Sequence, residues 1–91
     1  MSGIAAVIVK MMPEGPDSDL ENIKELAKSK LEEDGAQNIS FEIKEVAFGL
    51  KAIFVKFAWP EKKDTSLFED KLADVEGVSS VDTEDYRRAF G

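Results

Sequence analysis

Histidine and cysteine, which carry much of hydrolytic and redox chemistry, are both absent from the 91 residues. Their absence removes thiol nucleophiles, disulfides, CxxC redox centres, histidine general bases and histidine metal sites. What remains for chemistry is carboxylate, ammonium, guanidinium and aromatic. Paired carboxylates occur in Glu32-Glu33-Asp34 and Glu84-Asp85, but both runs lie in polar contexts that keep them solvated rather than poised as a general acid. Asp17-Ser18-Asp19-Leu20-Glu21 is acidic enough to suggest a calcium loop. It lacks the loop glycine and the bidentate glutamate at the required spacing, and acids ahead of a helix N-terminus account for it. The six glycines, at 3, 15, 35, 49, 77 and 91, never cluster into a phosphate-cradling loop. No cofactor and no direct nucleotide binding are expected, and an enzyme is the least supported class.

Three other stretches carry interaction chemistry. Phe54-Val55-Lys56-Phe57 matches the F-V-x-F end of an RNA-recognition signature, so Phe54 could stack on a base. The alternative is a hydrophobic strand with two phenylalanines. That alternative is favoured because Lys51-Ala52-Ile53 lacks the first half of the signature, Ile4–Met11 offers no partner aromatic and the net charge is -7. Phe48-Gly49 puts a large aromatic in a joint between strands, aimed outward or plugging the core. Tyr86-Arg87-Arg88-Ala89-Phe90 sets two guanidinium groups at the end of an acidic chain, as a binding tail or a frayed solvated one.

These groups need a frame, and the hydrophobic periodicity supplies one. Ile4–Met11 is a nearly continuous apolar run, expected of a central strand. Ser18 with Glu21 has capping-box spacing, and Leu20, Ile23, Ala27 and Leu31 recur at helical intervals as far as Gly35, predicting a helix over about 19–34. Alternation predicts strands at Asn38–Val46 and Leu50–Ala58, joined at Ala47-Phe48-Gly49 as a hairpin. Trp59-Pro60-Glu61-Lys62-Lys63 reads as a polar loop. Ser66 with Glu69 repeats the capping box, and Leu67, Phe68, Leu72 and Val75 form the stripe of a second helix ending near Gly77. Val78–Tyr86 is the fourth strand.

The order β-α-β-β-α-β is that of the split βαβ. It predicts an α+β ferredoxin-like sandwich: one four-stranded antiparallel sheet, order 4-1-3-2, with two helices on one face. The other face is left open, with Phe54 and Lys56 on it, as a place for a partner. Residues 1–91 are expected to form one domain. The apolar run near the N-terminus has no basic leader and is too short to span a bilayer, so the expected location is cytoplasmic. Nineteen acidic residues against twelve basic suit a protein partner better than a phosphate backbone, or simply keep a small domain soluble.

Val7-Ile8-Val9-Lys10-Met11-Met12-Pro13 with Asp17-Ser18-Asp19-Leu20, then Ala47-Phe48-Gly49-Leu50-Lys51-Ala52-Ile53, then Glu76-Gly77-Val78-Ser79-Ser80-Val81 and the terminal Tyr86-Arg87-Arg88, together resemble archaeal elongation factor 1-beta. The likeness runs through essentially the whole chain and extends to the C-terminal exchange domain of eukaryotic elongation factor 1-beta. It implies a ferredoxin-like domain promoting guanine-nucleotide exchange on the GTPase elongation factor 1-alpha, with no bond chemistry of its own, no membrane partner and no nucleic acid. By the resemblance, Arg88 falls at the position of a lysine inserted at the GTPase's magnesium and phosphate site, Phe48 and Gly49 at the contact with its second domain, and Lys51 at a basic position just after. Arg87 would anchor the tail. Arginine in place of lysine, and Ala89-Phe90-Gly91 after it, depart from the eukaryotic pattern. Two other classes stay open: a single-stranded RNA-binding sheet using Phe54, and a regulatory module dimerising through the open face.

Overall fold

The computed structural model describes residues 3–47 and 49–89. In order they form β1 (Ile4–Pro13), α1 (Leu20–Glu33), β2 (Gln37–Ala47), β3 (Leu50–Pro60), α2 (Thr65–Ala73) and β4 (Val78–Ala89). All strand pairings are antiparallel, in one sheet of order β2-β3-β1-β4. This is the expected ferredoxin-like order read from the other edge.

The strand period of two decides what is buried. Ala5, Val7, Val9 and Met11 of β1 and Ile53, Val55, Phe57 and Trp59 of β3 all face the helices and are buried. Ile23, Ala27 and Leu31 of α1, with Phe68 and Leu72 of α2, complete the core. At its centre Phe57, Trp59 and Phe68 meet edge to face, with ring centroids 5.1–6.0 Å apart, the arrangement that aromatic quadrupoles favour.

Four expectations are corrected. Trp59 and Pro60 belong to β3, not to a loop: Trp59 is fully buried, and β1 pairs Ile4 with Pro60. The proline is tolerated because β2 pairs with β3 no further than Ala58, so Pro60 lies past the end of that ladder. The helix caps sit one or two residues from the serines. Asp19 Oδ1 accepts from the Asn22 amide at 3.1 Å, and Asp64 Oδ1 from the Ser66 amide at 3.0 Å, while Ser18 Oγ instead accepts from the Gly15 amide at 3.2 Å. Leu67 is exposed rather than part of the apolar stripe. β4 runs three residues beyond Tyr86, so Arg87 and Arg88 lie in a strand and not in a frayed tail.

Gly35 closes α1 as expected, at φ +89°. Its amide bonds the Glu32 carbonyl and the Ala36 amide bonds the Leu31 carbonyl, both at 3.1 Å, the pair of bonds that define a Schellman close.

Candidate functional site

The residues of interest occupy two ends of the sheet. Ala47 pairs with Leu50 across a two-residue turn in which Gly49 has φ +77°, a backbone conformation glycine adopts without cost. A register shift between Glu45 and Ala47 puts a bulge at the end of β2, ahead of the turn. Lys51 follows the turn, exposed and paired with Glu45. Phe48 lies outside the described residues.

At the other end, β4 runs beside β1 with Arg87 opposite Ala6 and Arg88 opposite Ala5. Paired residues share a face. Arg88 therefore sits on the helix side with Ala5, and Arg87 on the open side. A β-bulge sets this alternation: Thr83 pairs with Val9 and Asp85 with Ile8, leaving Glu84 as the extra residue. Without it, Arg87 would stand opposite Ala5 and the two arginines would exchange faces. The bulge also puts Tyr86 on the helix side, opposite Val7.

Each arginine meets one carboxylate. Arg87 Nε lies 3.0 Å from Asp85 Oδ2, two residues back on the same face. Arg88 Nε lies 3.6 Å from Glu61 Oε1, just beyond β3. The side chains of Arg87 and Arg88 are 79% and 81% exposed.

Lys51 and Arg88 are thus not brought together. Arg88 is level with Ala5 and hence with Trp59, eight positions along β3 from Lys51, roughly 27 Å at the usual strand rise. The sheet is the spacer in a body 44 × 21 × 19 Å.

The other sequence candidates look different in three dimensions. Phe54 is half-buried on the open face beside a hollow of about 300 Å³ that Lys56 and Ile8 also line. Lys44, not the neighbouring Lys56, stands over its ring, with Nζ 5.2 Å from the centroid, so a cation already occupies a face that a base would need. Of the paired carboxylates, Glu33 and Asp34 are not simply solvated. Lys71 Nζ reaches Glu33 Oε1 at 3.2 Å and Asp34 Oδ2 at 3.6 Å, tying α2 to the end of α1. The hydrogen bond to Glu33 raises the Lys71 pKa above the ordinary lysine value. Among the described residues no helix is long and apolar enough to cross a membrane.

Residues 6–89 match the family described as the EF-1 guanine nucleotide exchange domain. The chain belongs to that family. Elongation factor 1-beta of Metallosphaera sedula is 38% identical to it over 78 residues, 84% of this chain and 85% of the relative. That of Methanosphaera stadtmanae is 36% identical over 89 residues, 97% and 98% of the two chains. That of Methanococcoides burtonii is 41% identical over 80 residues, 87% and 89%. The matched span of the exchange domain takes in both sheet ends, the hairpin and the two arginines. Sequence reasoning missed Glu61 and the bulge at Glu84. The first lies in the loop after β3, as its residue type and place suggest, and nothing in the sequence marks its carboxylate as near Arg88. The second has no residue-type signature, since an exposed glutamate in a polar strand is ordinary.

Proposed function

We propose that this chain is a cytoplasmic translation elongation factor that promotes replacement of GDP by GTP on elongation factor 1-alpha, acting as one exchange domain over residues 1–91. The hairpin end, with Phe48, Gly49 and Lys51, docks on the GTPase. Arg88 carries a positive charge towards the site where the partner holds magnesium and the nucleotide phosphates, and Arg87 anchors the strand beside it. A cation delivered there competes with Mg²⁺ for the groups that hold the phosphates and loosens the nucleotide. No bond is made or broken by this protein, and it needs no cofactor, nucleotide, membrane or nucleic acid of its own.

The observation that carries the reading is Arg88 itself: held by its backbone in a strand, on the helix side at the end of the sheet, with its side chain 81% exposed. A planar guanidinium is broader than the lysine ammonium of the eukaryotic relatives and can bond a phosphate through two nitrogens at once. Exchange by this route demands negative coupling: GDP and this protein each weaken the other's binding to the GTPase by the same factor.

Release of a fluorescent GDP analogue from elongation factor 1-alpha, chased with excess unlabelled GDP, is the test. Substoichiometric protein accelerates release, and Arg88→Ala lowers the maximal rate while leaving the half-saturating concentration nearly unchanged. Equal maximal rates for the wild type and Arg88→Ala would remove Arg88 from the mechanism, and no acceleration with an active GTPase would remove the mechanism itself.

A further inference from the structure

We infer that Glu61 is a positioning residue for Arg88, held in place by the absence of a side chain at Gly3; the inference rests on the role given to Arg88 above. Glu61 follows β3 directly, and its amide donates to the Gly3 carbonyl at 3.0 Å, extending the β1–β3 ladder by one rung. The extended alternation turns its carboxylate to the helix side, the side that Arg88 occupies from β4. Glu61 and Arg88 therefore flank β1 and reach across it. On the helix side, the positions between them are Gly3, just ahead of β1, and Ala5. A Cβ built on Gly3 would collide with the Glu61 carboxylate, whose carbon would lie 2.8 Å away. The smallest side chain in the sequence sits where the bridge must cross.

The loop that carries Glu61 is fixed independently. Trp59 Nε1 donates to the Lys63 carbonyl at 3.3 Å, the Lys63 amide donates to the Pro60 carbonyl at 3.0 Å, and Lys63 Nζ donates to the carbonyl of Asp34 at the end of α1. The Glu61 side chain is 26% exposed against 81% for Arg88. The acid is thus the enclosed partner and the arginine the exposed one. The nearest approach is made by Nε, the inner nitrogen of the guanidinium, so the attraction to the acid restrains the inner end of the group. An arginine restrained in this way loses less conformational freedom when its outer nitrogens engage an anion. Arg87 has no such arrangement: its acid, Asp85, is on its own strand and moves with it.

Release of fluorescent GDP from elongation factor 1-alpha, titrated with wild type, Glu61→Gln, Arg88→Ala and the double variant, tests this. Glu61→Gln is expected to lower the maximal rate roughly two- to fivefold, the scale of one exposed ion pair, with the half-saturating concentration unchanged and with no further loss in the Arg88→Ala background. Gly3→Ala, which displaces the carboxylate, should reproduce the loss in milder form. In the free protein the Arg88 Nε–H resonance should move in Glu61→Gln and stay in place in Asp85→Asn. An equal loss from Glu61→Gln with and without Arg88 would show a role that does not pass through the arginine and would overturn the inference. A Glu61→Gln variant as fast as the wild type, beside a slowed Arg88→Ala, would overturn it while leaving Arg88 its role. A wild-type rate in Arg88→Ala would overturn both.

Discussion

Asp19 and Asp64 each place a carboxylate oxygen on an otherwise unbonded amide in the first turn of a helix, and a negative charge there also meets the positive end of the helix dipole. Asp19→Ala is expected to cost about 1 kcal/mol in urea unfolding, and Ser18→Ala clearly less, because its hydroxyl serves the preceding turn. Position resolves the ambiguity of Asp17-Ser18-Asp19: several residues there can cap, and which one does depends on where the chain leaves β1. Phe68 is a plainer case, legible as apolar stripe and found fully buried between Phe57 and Trp59. Phe68→Ala should cost about 3–5 kcal/mol, enough to leave a domain of this size mostly unfolded under mild denaturant. Lys71 gives a pH signature. Its pKa is raised in the folded state by Glu33, so the folded state holds the proton more tightly than the unfolded chain does. The resulting stability is fully present below the ordinary lysine value and is lost as pH climbs through the raised one. Neutral to mildly alkaline titration should leave the urea midpoint unaffected by this group, and the decline at higher pH should be shallower in Lys71→Met.

Strand register does what residue type cannot. The apolar run of β1 and the alternation of β2 and β3 make these strands legible almost to their ends, whereas Trp59-Pro60 reads as a stop because of the proline, although the neighbouring ladder has already ended at Ala58. β4 was the hard element. Its face alternation breaks at Glu84, so Val81 and Thr83 are in phase with Tyr86 and Arg88 only across a bulge. A pattern of period two read straight through the strand assigns Arg88 to the wrong side. The bulge is also a handle. Glu84→Ala keeps the residue count and should change stability by no more than about 0.5 kcal/mol, with exchange unaltered. Inserting one residue after Glu84 slides residues 85–89 by one, turning Asp85 towards Val7 and setting Arg87 opposite Ala5. The insertion should lower the unfolding midpoint and cut the maximal exchange rate about as much as Arg88→Ala does. An insertion variant that exchanges at the wild-type rate would show that the face on which the arginine stands is immaterial.

Considered entire, the molecule is a bar of 44 × 21 × 19 Å with the hairpin towards one end and the arginines towards the other, and this separation could not be seen in the sequence. The hairpin and the arginines were recognisable through family resemblance, but their placement about 27 Å apart depends on three strand pairings acting together. The distance has an energetic consequence. Perturbations separated by more than about 10 Å and sharing no partner usually add, to within roughly 0.5 kcal/mol. Phe48→Ala is expected to raise the half-saturating concentration in the exchange assay about tenfold, the scale of an aromatic anchor, with little change in maximal rate. Arg88→Ala is expected to do the converse. If the sheet is a passive spacer, the double variant shows both defects in full, and the free-energy sum of the single losses matches its loss in overall efficiency. A double variant markedly better than that sum would mean that docking at the hairpin is itself what drives Arg88 into place, so that once one is removed the other has nothing left to lose. The bar would then be working as a lever. Measuring maximal rate and half-saturation separately for all four proteins distinguishes the two, because a spacer lets each mutation act on its own parameter and a lever makes both mutations act on the same one.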